Sequence, residues 1–267
     1  YCRAQVPGRP AGSIWRSVNV RVHFVSDVHG AAEDLAAAAD GADVFICLGD
    51  LLLYLDYDDP GQGAFAEVFG PEITAEYIRL RVAKEFDEAR ALTAAAWERI
   101  SGGDDPSSRM RRFLPIIDRQ YSEMFSAMPD STLMSFGNVD VPGLAAKHIN
   151  EGQRVLDGEV IEIGGLRFGF VGGGLPSPYR TPNEIPVADF DDRVAQLAGV
   201  DVLCTHIPPA IAELTFDVVA RRFEVGSESL LRLIRETQPR YALFGHVHQP
   251  LNRRMRVGRT ECLNVGH

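Results

Sequence analysis

Short apolar runs in this chain break off repeatedly at a glycine, an acid, an amide or a histidine, and this recurrence limits the fold more than any other feature. Val20, Val22, Phe24 and Val25 lead into Asp27-Val28-His29-Gly30. Ala42–Leu48 ends in Gly49-Asp50, and Thr132–Phe136 in Gly137-Asn138-Val139-Asp140. Val200–Thr205 ends in His206, and Tyr241–Phe244 in Gly245-His246-Val247-His248. Runs this short, bounded by turn residues, read as buried strands. Helical patterns lie among them: the Ala-rich Ala31–Asp40, then Val187–Leu197, then Ser227–Thr237 with Leu230, Leu231, Leu233 and Ile234 apolar. Strands alternating with helices give an α/β class. In that class, sites form where strand ends converge.

The first strand end sets the pattern. In an extended chain, residues two apart point to one side, so Asp27 and His29 are expected to face one cavity. Gly30 permits a sharp turn into the helix that follows. That helix would bring its N-terminal amides to the cavity, a seat for an anion such as phosphate.

The middle of the chain changes character. Tyr54–Pro71 is rich in Asp, Gly and Pro and reads as a loop. Ile78, Val82, Phe86, Ala89, Leu92, Ala96 and Ile100 recur at three and four residues, which predicts one long amphipathic helix. After a break at Ser101–Ser108, Phe113, Ile117, Tyr121, Met124 and Met128 predict a second, with Pro115 starting or kinking it. The expected result is a helical insertion at about 72–130. Its apolar faces would pack together or on the core; a cap or a dimer contact is the alternative. Further on, Glu159–Val171 alternates around Gly164-Gly165 as a β-hairpin. Gly172-Gly173-Gly174 is no dinucleotide fingerprint, because Ser177 stands at the third glycine position and Pro176 and Pro178 oppose a helix. It reads as backbone passing close to something. Met255–Val257 and Cys262–Val265 predict a closing hairpin.

Composition sets outer bounds. With 267 residues, one domain over 18–267 is expected, preceded by a Gly-, Pro- and Arg-rich disordered tail at 1–17. The chain does not begin with Met, as a processed chain would not, and it stops directly after a strand-like run, which leaves room for a further C-terminal segment. A formal net charge of −10 disfavours extended nucleic-acid binding and anionic membranes. No run reaches the roughly 18 apolar residues that span a bilayer. Cys47, Cys204 and Cys262 lie in apolar strand-like runs, and no CxxC pair occurs, which points to a reducing, cytoplasmic setting.

The strand ends together offer two carboxylates (Asp27, Asp50), four imidazoles (His29, His206, His246, His248) and one amide oxygen (Asn138). If one carboxylate bridges, this supplies four ligands to each of two metals. A mixed N/O set without thiolate suits Mn, Fe, Zn or Ni over Mg or Ca.

The ordered series D-x-H, G-D, G-N, H and G-H-x-H, spanning Asp27 to His248, resembles the calcineurin-like metallophosphoesterases. The resemblance implies a four-layer α/β/β/α sandwich, two mixed sheets flanked by helices. It implies that Asp27, His29 and His248 bind one divalent ion, that Asn138, His206 and His246 bind a second, and that Asp50 bridges. Manganese is the first expectation for both. The implied activity is hydrolysis of a small phosphate ester by metal-bound hydroxide, the catalytic residues being these same seven.

One position departs from that family. Its third motif is commonly G-N-H-D or G-N-H-E, whereas Val139 stands here at the histidine that serves the leaving group. A subset of the family lacking this histidine tends toward phosphodiesters, so a phosphodiesterase is expected. The alternatives are a phosphomonoesterase or nucleotidase, and a non-catalytic scaffold on the same fold. A homo-oligomer is compatible with either. Asp140 loses its usual partner. His148 stands as a surrogate donor, His267 as a residue that approaches the cleft if the closing hairpin returns to the strand-end face, and Arg180 as a phosphate contact.

Overall fold

The computed structural model describes residues 2–5, 20–101 and 106–266; for 2–5, 101, 106 and 108 it describes the backbone alone. The expected tail lies outside the described residues except for β1 (Cys2–Gln5), whose backbone pairs antiparallel to β2 (Arg21–Val25). His267 also lies outside them. After β2 come α1 (Ala32–Ala39) and β3 (Val44–Cys47). Four helices follow: α2 (Gly63–Phe69), α3 (Pro71–Val82), α4 (Phe86–Ser101) and α5 (Pro106–Ala127). Next are β4 (Leu133–Met134), α6 (Pro142–Ala145), a 3-10 turn at Ala146–His148, β5 (Arg154–Val155), β6 (Glu159–Ile163), β7 (Leu166–Val171) and α7 (Val187–Ala195). The chain closes with β8 (Val202–Thr205), α8 (Ala212–Thr215), β9 (Phe216–Asp217), β10 (Arg222–Phe223), α9 (Glu228–Thr237), β11 (Tyr241–Phe244), β12 (Arg254–Val257) and β13 (Thr260–Asn264).

Two compact units result, Leu52–Glu123 and the remainder. The larger unit holds two mixed sheets, ordered β1-β2-β3-β4-β5 and β12-β13-β11-β8-β7-β6. Within the first, β2 to β5 run parallel. Within the second, β7, β8, β11 and β13 run parallel, with β6 and β12 antiparallel at the edges. Strand alternation explains the layering. In β8, Val202 and Cys204 join Phe24, Ile46 and Phe168 in a core shared by both sheets. Leu203, between them, faces the other way and packs with Phe190 and Val194 of α7 and Ile234 of α9. In β11, Leu243 faces inward while Ala242 and Phe244 face those helices. Helix α1 flanks the first sheet, where His23 of β2 contacts the Ala38 carbonyl at 2.9 Å. The larger unit is therefore an α/β sandwich of two mixed sheets flanked by helices. The parallel arrangement places the C-terminal ends of β2, β3 and β4 on one side across their sheet, and likewise those of β8 and β11 across theirs.

The smaller unit is helical, with a core of Phe65, Phe69, Ala96 and Trp97 lined by Tyr77, Ile100 and Phe113. Phe65 stacks on Tyr77 with ring centroids 4.4 Å apart. The long helix expected from Ile78 to Ile100 is two helices. The turn at Ala83-Lys84-Glu85 interrupts it, with Lys84 at φ 62° and the Glu85 N–H donating to the Leu80 carbonyl. Periodicity misses such a break because both helices turn apolar positions to buried surroundings. Pro115 neither starts nor ends a helix; α5 begins at Pro106, a proline at the first helical position, and carries Pro115 inside it. Within the expected loop Tyr54–Pro71, Gly63–Phe69 is helical because Ala64, Phe65, Ala66 and Phe69 have a core to enter.

Candidate metal centre

Asp27 follows β2, Asp50 follows β3, Asn138 follows β4, His206 follows β8, and His246 and His248 follow β11. The strand ends do not continue as extended chain. Asp27 (φ 55°), His29 (φ 42°), Asp50 (φ 55°) and His246 (φ 69°) all adopt left-handed backbone, which side-chain-bearing residues rarely do. The reading of Asp-x-His as an extended triplet is thus corrected: both residues reach the site through a turn. Backbone bonds hold that turn against the next strand end, from Asp27 N to the Gly49 carbonyl (2.9 Å), His29 N to Asp50 (3.0 Å) and Gly30 N to Leu51 (2.9 Å). Strain of this kind concentrates at functional sites. The anion seat expected at α1 is weakened, because Glu33 and Asp34 occupy its first turn and already compensate its positive end.

The donor atoms converge. His29 Nε2 and His248 Nε2 face each other at 3.0 Å, and His248 Nε2 lies 3.7 Å from Asp27 Oδ1. Asp50 Oδ2 stands 4.0 Å from His29 Nε2 and 3.4 Å from His206 Nε2. Asn138 Oδ1 lies 2.9 Å from both His206 Nε2 and His246 Nδ1. His206 Nδ1 is 2.9 Å from the Leu48 carbonyl, which can accept its proton and so leave Nε2 for the cavity. Among the described residues, two groups of ligand atoms are close enough to hold an ion, Asp27 with His29 and His248, and Asp27 with Asp50 and His206. All seven residues predicted as ligands therefore lie within one network of contacts.

Close approach explains two of the flanking glycines. A Cβ on Gly137 would sit 2.0 Å from Asp50 Oδ1, and one on Gly245 would sit 2.1 Å from Asp27 Oδ2. Each carboxylate rests on a backbone that only glycine leaves bare. Gly174, in the triple glycine, likewise passes Asn138, whose Cβ would be 2.6 Å from an added one.

The charge balance calls for cations. Asp27 and Asp50 are 4% and 2% exposed. Among the described residues, the ion partners of both are histidines, not lysine or arginine. Buried carboxylates need compensating positive charge. Burial opposes the ionised form of Asp50, but His206, His29 and the Val139 N–H prevail and hold its carboxyl well below the ordinary range. Burial likewise opposes the protonated form of His206, yet Asp50 and Asp27 push it up to about 9. His246 is pushed down by burial and by His206. A cation ligated at His206 competes with that proton, so metal affinity falls with acid. The oxygen and imidazole donors fit divalent transition metals.

Sequence reasoning leaves Asp140 without a partner. The structure gives it three: its buried carboxylate accepts from Asp50 N (2.9 Å), Leu51 N (3.0 Å) and Gly137 N (2.8 Å). Asp140 thereby ties the second strand end to the third. Val139 contributes its backbone, donating to Asp50 Oδ1 at 3.0 Å. His148 stacks on Phe125, centroids 6.4 Å apart, and Arg180 is exposed at φ 51°. A cluster formed by Ser177, Thr181, Asn183 and Glu184 around Asn138 escapes sequence reasoning altogether. Its signal is present as Thr181-Pro182-Asn183-Glu184, the T-x-x-E pattern of a capping box.

The chain matches the family model described as calcineurin-like phosphoesterase over residues 20–250. No curated protein matches it. One crystal structure is similar at 15% identity with a TM-score of 0.57, over 92% of this chain and 90% of that one. The crystal structure of TT1561 of Thermus thermophilus is similar at 14% identity with a TM-score of 0.50, over 92% of this chain and 88% of that one. At such identities these likenesses show a common fold alone.

Proposed function

The chain belongs to the calcineurin-like phosphoesterase family, and on that premise we propose that it is a metal-dependent phosphodiesterase with a dinuclear centre. One observation carries this reading: Asp50 Oδ2 lies between His29 and His206, at 4.0 and 3.4 Å, where a single carboxylate can serve both histidine sets. Asp27, His29 and His248 would hold one ion; Asn138, His206 and His246 would hold the other. Two divalent cations, with manganese our first assignment, would lower the pKa of water and neutralise phosphoryl oxygens. The chain supplies the rest. Asp140 and the Val139 N–H fix Asp50, and Leu48 fixes the tautomer of His206.

The diester preference rests on Val139. An isopropyl group holds no proton, so a departing alkoxide or phenoxide receives none from this position. Monoesters pass through a loose transition state that loads charge on the leaving group, so the lack of an acid penalises them more. The substrate is a small ester, since a net charge of −10 opposes a polyanion. No described helix is long and apolar enough to cross a membrane. Three buried free thiols, Cys47, Cys204 and Cys262, suit a reducing compartment, which supports a cytoplasmic placement.

The test compares Mn²⁺-loaded protein on an aryl phosphodiester and the matching monoester. The diester is expected to turn over faster, and Asp50→Asn to lose roughly 100-fold or more in rate. Fewer than one ion per chain, with no turnover of either ester under any divalent ion, overturns the enzyme reading in favour of a scaffold. A monoester preference overturns the inference from Val139.

A further inference from the structure

Asn138 is the one proposed ligand that presents a carboxamide, whose two ends are alike in shape and opposite in hydrogen-bonding character. A carboxamide offers an oxygen that binds cations and an NH₂ that repels them, and rotating the group by half a turn exchanges the two. Something must decide which faces His206 and His246. Asn138 Nδ2 donates to Thr181 Oγ1 at 3.2 Å. Thr181 Oγ1 donates in turn to Glu184 Oε1 at 3.2 Å. The same oxygen of Glu184 also accepts from Ser177 Oγ (2.5 Å) and from Thr181 N (2.9 Å).

This arrangement has a direction. An ionised carboxylate only accepts, so it obliges the Thr181 hydroxyl to donate toward it. The hydroxyl then presents lone pairs alone to Asn138. Those pairs take the amide nitrogen and reject the amide oxygen. Partial burial would raise the Glu184 carboxyl, but hydrogen bonds from Ser177 and Thr181 outweigh it and keep the group below its ordinary value. The backbone frame is held from the same loop. Asn183 N donates to the Asn138 carbonyl at 3.0 Å, and Asn183 Nδ2 donates to the Gly137 carbonyl at 2.9 Å. Ile185 N donates to the Gly174 carbonyl at 2.7 Å, closing the loop beside the ligand.

We propose that Thr181, oriented by Glu184, is a positioning residue that locks the Asn138 carboxamide with its oxygen toward the cation site shared with His206 and His246. The proposal rests on the reading of Asn138 as a ligand. It assigns a function to a loop that carries no ligand of its own. Groups of this kind typically change metal affinity by about 10–100-fold when lost.

The experiment is a Mn²⁺ titration by calorimetry with equilibrium dialysis, on the full chain and four variants. Thr181→Val keeps the shape of the side chain and removes the hydroxyl. It is expected to weaken one of two binding events by about 10–100-fold and leave the other unchanged. Thr181→Ser is expected to restore both, which a role in packing alone would not do, since serine lacks the methyl. Glu184→Gln removes the acceptor-only constraint and is expected to fall between. Asn138→Ala separates the two levels of the argument. If it weakens one event while Thr181→Val does not, Asn138 is a ligand and the positioning role is overturned. If Asn138→Ala leaves both events at parental affinity, or the parent binds fewer than two ions, the ligand reading fails and the proposal falls with it. Should Thr181→Val unfold, the decision rests on Glu184→Gln and Thr181→Ser, and parental affinities in Glu184→Gln overturn it.

Discussion

Replacing Gly245 with alanine should cost far more than a single methyl group suggests. The backbone φ there is ordinary, so alanine is not opposed by its own conformation. The cost comes from Asp27 and Ser26, which lie 218 and 219 residues earlier in the chain. The added Cβ would sit 2.1 Å from Asp27 Oδ2, 2.1 Å from Ser26 Oγ and 2.5 Å from Ser26 Cβ. Comfortable contact begins at about 3.5 Å, so one backbone must retreat by about 1 Å or more. Overpacking of this order costs about 1–3 kcal/mol. The retreat also stretches the bonds from His246 N to the Asp27 carboxylate, now 3.0 and 2.9 Å. A hydrogen bond to a charged acceptor contributes about 1.5–3 kcal/mol. Together these give a loss of about 2.5–6 kcal/mol, a large share of the roughly 5–15 kcal/mol that holds a domain folded. Urea denaturation of Gly245→Ala and of Gly143→Ala measures it. Gly143 is the control, because nothing lies within 4 Å of its added Cβ, and alanine there should be neutral or slightly stabilising. Metal titration should show the loss of an ion in Gly245→Ala as Asp27 is displaced. If Gly245→Ala unfolds within about 0.5 kcal/mol of the parent and binds metal as tightly, Asp27 does not rest on this backbone and the derivation is refuted.

Two further outcomes follow from neighbouring residues. Val139→His returns an ionisable group to the third strand end, and should raise monoester relative to diester hydrolysis by at least about tenfold, short of the roughly 100-fold at the low side of what a well-positioned general acid contributes; an unchanged ratio in parallel assays contradicts the role given to Val139. Asp140→Asn leaves at least one of three buried N–H donors unpaired and should lower stability by about 1–3 kcal/mol in denaturant. Its pH dependence has a definite sign: burial and the Asp50 charge raise the Asp140 carboxyl from 3.8 to about 6. In chelator-treated protein its stabilising contribution is therefore full below pH 3.8 and is lost as pH rises through 6, so the deficit of Asp140→Asn should shrink across that window, and a deficit that grows with pH contradicts it.

Much of the framework was legible because local chemistry and global burial agree. The strand Tyr241–Phe244 matches the structure because its short apolar run is bounded by Pro239 and Gly245, and the hairpin around Gly164-Gly165 because alternating apolar positions flank paired turn glycines. The ligands were legible because each follows a strand. How they converge was not. Left-handed backbone at Asp27, His29, Asp50 and His246 is imposed by contacts with other strand ends, which no local propensity encodes. The split at Lys84 was hidden because two short helices facing buried surroundings carry the periodicity of one long one. Asp140 and Thr181 stayed obscure for a related reason. Asp140 draws two of its donors from Asp50 and Leu51, 90 and 89 residues away, and Thr181 meets Asn138 across 43. A side chain whose partner is that remote shows its residue type in the sequence but not its task.

Counting and locating manganese by anomalous scattering from crystals of the Mn²⁺-loaded protein tests the central claim most directly. Two ions should appear, roughly 3.5–4 Å apart as in other two-metal sites, with Asp50 touching both, Asp27, His29 and His248 on one, and Asn138, His206 and His246 on the other. A single ion, or two ions that do not share Asp50, would contradict the dinuclear account.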